Sequence, residues 1–123
     1  MYKQDVIDYL NNKIEFNSFK NSIQSELALY KTGLEKKGSS IPIIYDGDRE
    51  KINIGEKHIQ RLCNDFANGI IDEYFIGYIS DALLLSENTI FYNDEIRDKF
   101  ELLSEFVTNG ERDKIHMSHL LCN

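Results

Sequence analysis

The stretch from Ile70 to Phe91, IIDEYFIGYISDALLLSENTIF, places the tightest constraint on what this chain can fold into. Apolar residues recur at helical spacing on two sides of it. One stripe is Phe75, Ile76, Ile79, Ala82 and Leu83; the opposite one is Tyr74, Gly77, Tyr78, Asp81, Leu84 and Leu85. A surface helix needs only one apolar stripe. The second must face another element, a second chain or a partner. Asp81 is the acid within that second stripe, and a lone carboxylate is costly to bury in a dry core. That cost, with tyrosines on either side, suits a partner surface. The alternative is an internal carboxylate that bonds Tyr, Arg or main-chain groups and fixes helix packing. Gly77 weakens a helix by about 1 kcal/mol against alanine, so its presence implies close approach by a neighbouring helix or a partner.

The remaining periodicity predicts a mainly α, single domain of five to six helices with one small β-hairpin. A first helix spans Lys3 to Leu10, with Val6, Ile7 and Leu10 inward, and Asn11-Asn12 ends it. A longer one follows from about Asn17, a suitable N-cap, to Lys37, with Phe19, Ile23, Leu27, Tyr30 and Leu34 on one arc. The hairpin covers about residues 41–54: two β-branched runs flank Asp46-Gly47-Asp48, a strong turn cue. A third helix runs from Glu56 to Asn68 with Ile59, Leu62, Cys63 and Phe66 inward, His58 facing solvent and Gly69 as its stop. Asp72 caps the two-striped helix, which continues to about Ser86. Residues 88–92 are extended. Asn93 then caps a further helix to about Asn109, with Ile96, Phe100, Leu103 and Val107 inward, and the last residues form a helical turn or a tail.

With 123 residues, 41% of them apolar, and fourteen Phe and Tyr rings, the chain can bury a core without metal or disulfide staples. Cys63 and Cys122 do not form a disulfide framework. No apolar run reaches the length of a membrane span, and the N-terminus mixes charge into every turn, so the expected location is the cytoplasm. The net charge of −7 argues against a nucleic-acid surface, which must neutralise phosphates. It permits docking onto a basic protein. The acidic excess is uneven: residues 1–38 hold six bases and five acids, residues 39–92 four and nine, residues 93–123 four and seven.

Catalytic constellations are lacking: there is no nucleophile elbow, phosphate-binding glycine loop or HExxH pair. The chain reads as a binding protein without cofactor, not an enzyme. Asp46-Gly47-Asp48-Arg49-Glu50 begins like a calcium loop, but the sixth and twelfth positions hold Lys51 and Lys57 where glycine and an acid are needed. Its acids form a hairpin tip that can also serve as a contact point. His116, His119 and Cys122 spread over more than one helical face and lack a nearby fourth ligand, so no metal site is expected.

The run CNDFANGIIDEYFIGYISDALLLSENTIFYNDEIRDKFELLSE resembles helical immunity proteins of bacterial contact-dependent growth inhibition and related polymorphic toxin systems. The shared features are a helix, a short glycine-containing turn, a helix like Tyr78-Ile79-Ser80-Asp81-Ala82-Leu83, then an acidic stretch and another helix. They cover about residues 59–106. The resemblance implies a small cytoplasmic antidote that binds the basic C-terminal toxin domain of a large exported effector. Such toxins are frequently nucleases, some of them tRNA-cleaving, and an acidic protein can occupy a nuclease's basic groove. On this reading the contact residues are Tyr74, Tyr78, Asp81 and Leu85 with Asp72, Glu73 and Glu87 around them, and Asp46, Asp48 and Glu50 form a second patch. The alternative is a homodimeric helical adaptor whose seam is the Tyr–Leu stripe.

Overall fold

The computed structural model describes residues 1–34 and 45–105, without the side chain of Leu34. Five helices and two short strands follow one another as α1 (Lys3–Leu10), α2 (Phe16–Leu34), β1 (Ile52–Ile54), α3 (Glu56–Ala67), α4 (Glu73–Leu85), β2 (Thr89–Phe91) and α5 (Asp94–Ser104). The mainly α class expected from the periodicity is the observed one. Side-chain caps set two starts: Asp72 accepts the Phe75 N–H and Asn93 accepts the Ile96 N–H, each at 2.9 Å. Each satisfies an orphan donor of the first turn. Asn12, at φ 61°, and Gly69, at φ 73°, end α1 and α3 in the left-handed region that Asn and Gly tolerate best. Asn17 is not the cap of α2; that helix has already begun at Phe16.

The β structure is a correction. The second half of the expected hairpin does form β1, but β1 pairs in parallel with β2, in the register Ile52↔Thr89, Asn53↔Ile90, Ile54↔Phe91. Residues 41–44 lie outside the described residues. Tyr45–Glu50 are tied instead to the start of the chain. Asp46 N–H donates to Met1 O at 2.7 Å, and Lys3 N–H to Asp46 O at 2.9 Å. A turn cue is local, whereas strand pairing is decided by which edges the helices bring together. Here α3 and α4 form the crossover between parallel strands, as parallel pairing requires.

The core is built on α4. Phe75 is met edge-on by three rings, Tyr9, Phe16 and Phe19, at centroid distances of 5.7, 5.1 and 5.6 Å. Tyr9 and Phe19 come from α1 and α2, so one aromatic side chain joins three helices. On the other side α5 packs along α4, burying Ile96, Phe100 and Leu103. Beneath α1, Tyr9 donates its hydroxyl to Asp65, which also takes Arg61 Nε at 2.9 Å. The Arg61 guanidinium lies over the Tyr9 ring at 4.7 Å. Burial, and then the adjoining Asp65, push the Tyr9 hydroxyl well above its usual range. Asp65 is thereby buried with its charge matched, the condition under which carboxylates persist in a core.

Candidate partner-binding surface

The second stripe of α4 faces the protein's own α2. Tyr30 donates to Asp81 Oδ2 at 3.0 Å and Tyr78 donates to Glu26 Oε1 at 3.1 Å. The two tyrosine rings meet edge to face at 5.1 Å. Glu26 also receives the Met1 amino group at 2.6 Å. A Cβ built on Gly77 stands 2.9 Å from the Tyr30 hydroxyl, so the glycine makes room for that contact. Tyr78, only 1% exposed, is therefore not a surface residue, whereas Leu85 of the same stripe is 72% exposed. The periodicity was blind to this because Glu26 and Tyr30 lie about fifty positions away and carry no mark of what they will face.

Asp81 is half-buried. Burial raises its carboxyl above the usual range, and the Tyr30 hydrogen bond opposes that shift. A folded-state pKa raised above 3.8 adds stability below that pH and loses it as pH rises through the folded value. Asp81→Asn keeps an acceptor for Tyr30 and removes the buried charge. It should be neutral to about 1 kcal/mol more stable at pH 7, with the difference fading toward pH 4. Urea unfolding of both proteins at the two pH values checks this. A clear loss at pH 7 would mean that the carboxylate anchors the packing.

The other expected contact residues fall at the two ends of α4, about 18 Å apart at 1.5 Å per residue. At the N-terminal end Asp72 is exposed and caps the helix, Glu73 is half-buried, and Tyr74 lies under Lys31 Nζ at 5.0 Å from its ring. At the C-terminal end the structure joins what the sequence kept apart. Asp48 accepts the Ser86 hydroxyl at 2.5 Å and the Asn88 amide at 3.3 Å, and its main-chain oxygen takes the same amide at 3.0 Å. The 46–50 loop is thus fastened to the turn that follows α4. Asp46, Glu50 and Glu87 are exposed there, together with Leu85, which is 72% exposed. The two candidate patches share one acidic lip with an apolar residue in it.

Asp48 itself is the fastener of this lip. Lys3 Nζ, almost wholly buried, meets Asp48 Oδ1 at 2.8 Å and also donates to the Glu50 main-chain oxygen. Burial raises the Asp48 carboxyl, but the hydrogen bonds from Lys3, Ser86 and Asn88 and the Lys3 charge outweigh it, so it ionises below the usual carboxylate range. Lys3, Ser86 and Asn88 carried no recognisable signal, since their bonds to the loop span 38 to 47 positions.

His58, expected in solvent, is 6% exposed. Its Nδ1 accepts the Gly55 N–H at 2.9 Å, so the neutral ring is protonated at Nε2, which donates to the Asn11 side-chain oxygen at 2.9 Å. Burial, and then Lys57, lower its pKa. The ring ties the start of α3 to the end of α1. His116, His119 and Cys122 lie outside the described residues. No described helix is long and apolar enough to cross a membrane. No protein-family model matches the chain, and no curated protein or solved structure is detectably similar to it.

Proposed function

We propose that this protein is a cytoplasmic immunity protein that neutralises a cognate basic toxin domain by covering it, with no chemistry of its own. The observation that supports this reading best is the acidic lip at the C-terminal end of α4. There Asp48 holds the 46–50 loop against the 86–88 turn, leaving Asp46, Glu50 and Glu87 in solvent beside Leu85. A fixed cluster of acids attracts a basic surface and speeds encounter, and an exposed leucine among them supplies desolvated contact area. A nuclease groove that grips RNA offers the matching positive surface.

The test is co-expression with the toxin domain encoded immediately upstream of this gene, with protection and affinity as readouts. Asp46→Lys, Glu50→Lys and Glu87→Lys together should weaken binding about a hundredfold or more at low salt, mainly through slower association. Leu85→Ala should speed dissociation. None of these side chains is needed for folding, so the variants should unfold like the parent. The absence of an upstream toxin, or full protection by the triple variant, would overturn the proposal.

A further inference from the structure

The start of α3 is capped by a group that can lose its capping bond. Gly55 is the N-cap and has no side chain to bond the first turn. His58, three residues on, reaches back, and its Nδ1 accepts the Gly55 N–H at 2.9 Å. Glutamate or glutamine takes that place in a capping box. A carboxylate or amide oxygen there accepts at neutral and mildly acidic pH alike, whereas an imidazole nitrogen accepts only while the ring is neutral. The other ring nitrogen is committed as well. Nε2 donates to the Asn11 side-chain oxygen at 2.9 Å, so one ring joins the start of α3 to the residue that closes α1.

A proton added at Nδ1 is opposed in three ways. It sets an N–H against the Gly55 N–H and breaks that bond. It puts a charge on a buried ring, where hydration is poor. It also places that charge at the positive end of a helix dipole. On α3 itself Lys57 adds repulsion. Glu56 lies 3.8 Å from Lys99 of α5, and Arg61, one turn on, is held by Asp65 at 2.9 Å. Beside the ring α1 brings Ile7 and Asn11, β1 brings Asn53 and Ile54, and the chain after β2 brings Tyr92. None of these described neighbours is a carboxylate. They border a hollow of about 610 Å³, which gives the ring room to turn out of its seat.

We propose that His58 is an acid-sensitive latch: uptake of a proton at Nδ1 breaks its bond to Gly55, turns the ring out and loosens the junction of α1 with α3. The sign follows from linkage. Burial, and then Lys57, hold the folded ring below the ordinary histidine value of 6.5. The stability contributed by the neutral ring is therefore complete above 6.5 and is lost as pH falls from there through the folded value. The Asp48 fastener, which ionises below the usual carboxylate range, survives until much stronger acid. Mild acid thus loosens α1 at its Asn11 end while Lys3, at its other end, stays paired with Asp48. The latch belongs to the fold and holds whatever the partner does.

Nuclear magnetic resonance of the full chain between about pH 7.5 and about pH 4 tests this. At the upper end the His58 ring should carry its proton on Nε2, and it should titrate below 6.5. As it does so, the Gly55 amide, corrected for its intrinsic exchange rate, should lose protection on the order of tenfold or more, while amides in the middle of α4 keep theirs. His58→Gln keeps an acceptor at the third helical position and takes up no proton. Its Gly55 amide should stay protected, and its urea midpoint should fall less than the parent's on going from about pH 7.5 to about pH 5. The two readouts on the parent stand even if the variant folds poorly. The latch is wrong if the folded ring titrates at 6.5 or above or is still neutral at about pH 4. It is equally wrong if the Gly55 amide stays protected once the ring is charged, or if parent and variant midpoints fall alike.

Discussion

Phe75→Ala is expected to cost about 5 kcal/mol of stability, the upper end of the range for removing a buried phenylalanine. Phe75 is 1% exposed and is the ring on which Tyr9, Phe16 and Phe19 converge edge-on. The void left by it would be bounded by aromatic side chains from α1 and α2, which cannot collapse without moving those helices off α4. Each tilted ring pair adds about 0.5–1.5 kcal/mol beyond area burial, so three pairs place the loss high in the range. Urea titration with a constant m-value measures it. Phe75→Leu, which keeps most of the volume, should recover more than half. A loss below about 2 kcal/mol for the alanine variant, the low end for smaller side chains, would mean that the three helices do not share this ring.

Asp48→Ala is the second large effect, about 3 kcal/mol. Removing one partner of a buried ion pair costs about 3–5 kcal/mol, and the partial exposure of Asp48 places it at the low end. The substitution strands the Lys3 ammonium, whose side chain is 4% exposed, with only the Glu50 main-chain oxygen. It also frees Ser86 and Asn88 from the loop. Lys3→Met should cost less, because Asp48 keeps its bonds from Ser86 and Asn88. The pH dependence has a definite sign. A folded pKa depressed below 3.8 gives stability that is complete above that value and lost as pH falls through the folded one. The gap between Asp48→Ala and the parent should therefore hold from pH 7 to about 5 and close only in strong acid. A gap that closed between pH 7 and 5 would place the stabilising charge elsewhere. Because Asp48 fastens the acidic lip, the same variant should also weaken partner binding.

These expectations rest unequally on sequence and structure. Helix starts at Asp72 and Asn93, the stop at Gly69 and the inward set Ile59, Leu62, Cys63, Ile96, Phe100 and Leu103 were legible from spacing and from a residue's own hydrogen-bonding chemistry. Each of those signals acts within one helical turn. The pairing of β1 was not legible. Asp46-Gly47-Asp48 is a sound turn signal, but the edge offered to Ile52–Ile54 belongs to Thr89–Phe91, brought there by α3 and α4. His58 misled for the same reason. Its position on the wheel is at the flank of the α3 stripe, one turn before Leu62, and its ring meets Asn11, which follows α1.

The two-striped helix separates the two kinds of information. Its length, its cap and the need to cover both faces follow from the residues between Asp72 and Ser86 alone, because amphipathic periodicity is a property of one helix. What covers the second face is decided by tertiary structure, since a stripe records only that it must leave water. Tyr30 and Glu26, arriving on α2, occupy it and leave Tyr78 inside. The same folding gathers Asp46, Glu50, Leu85 and Glu87 at one end of α4 through bonds to Asp48 that cross about forty positions of chain. Contacts between residues so far apart are set by how helices pack, and no local pattern records them.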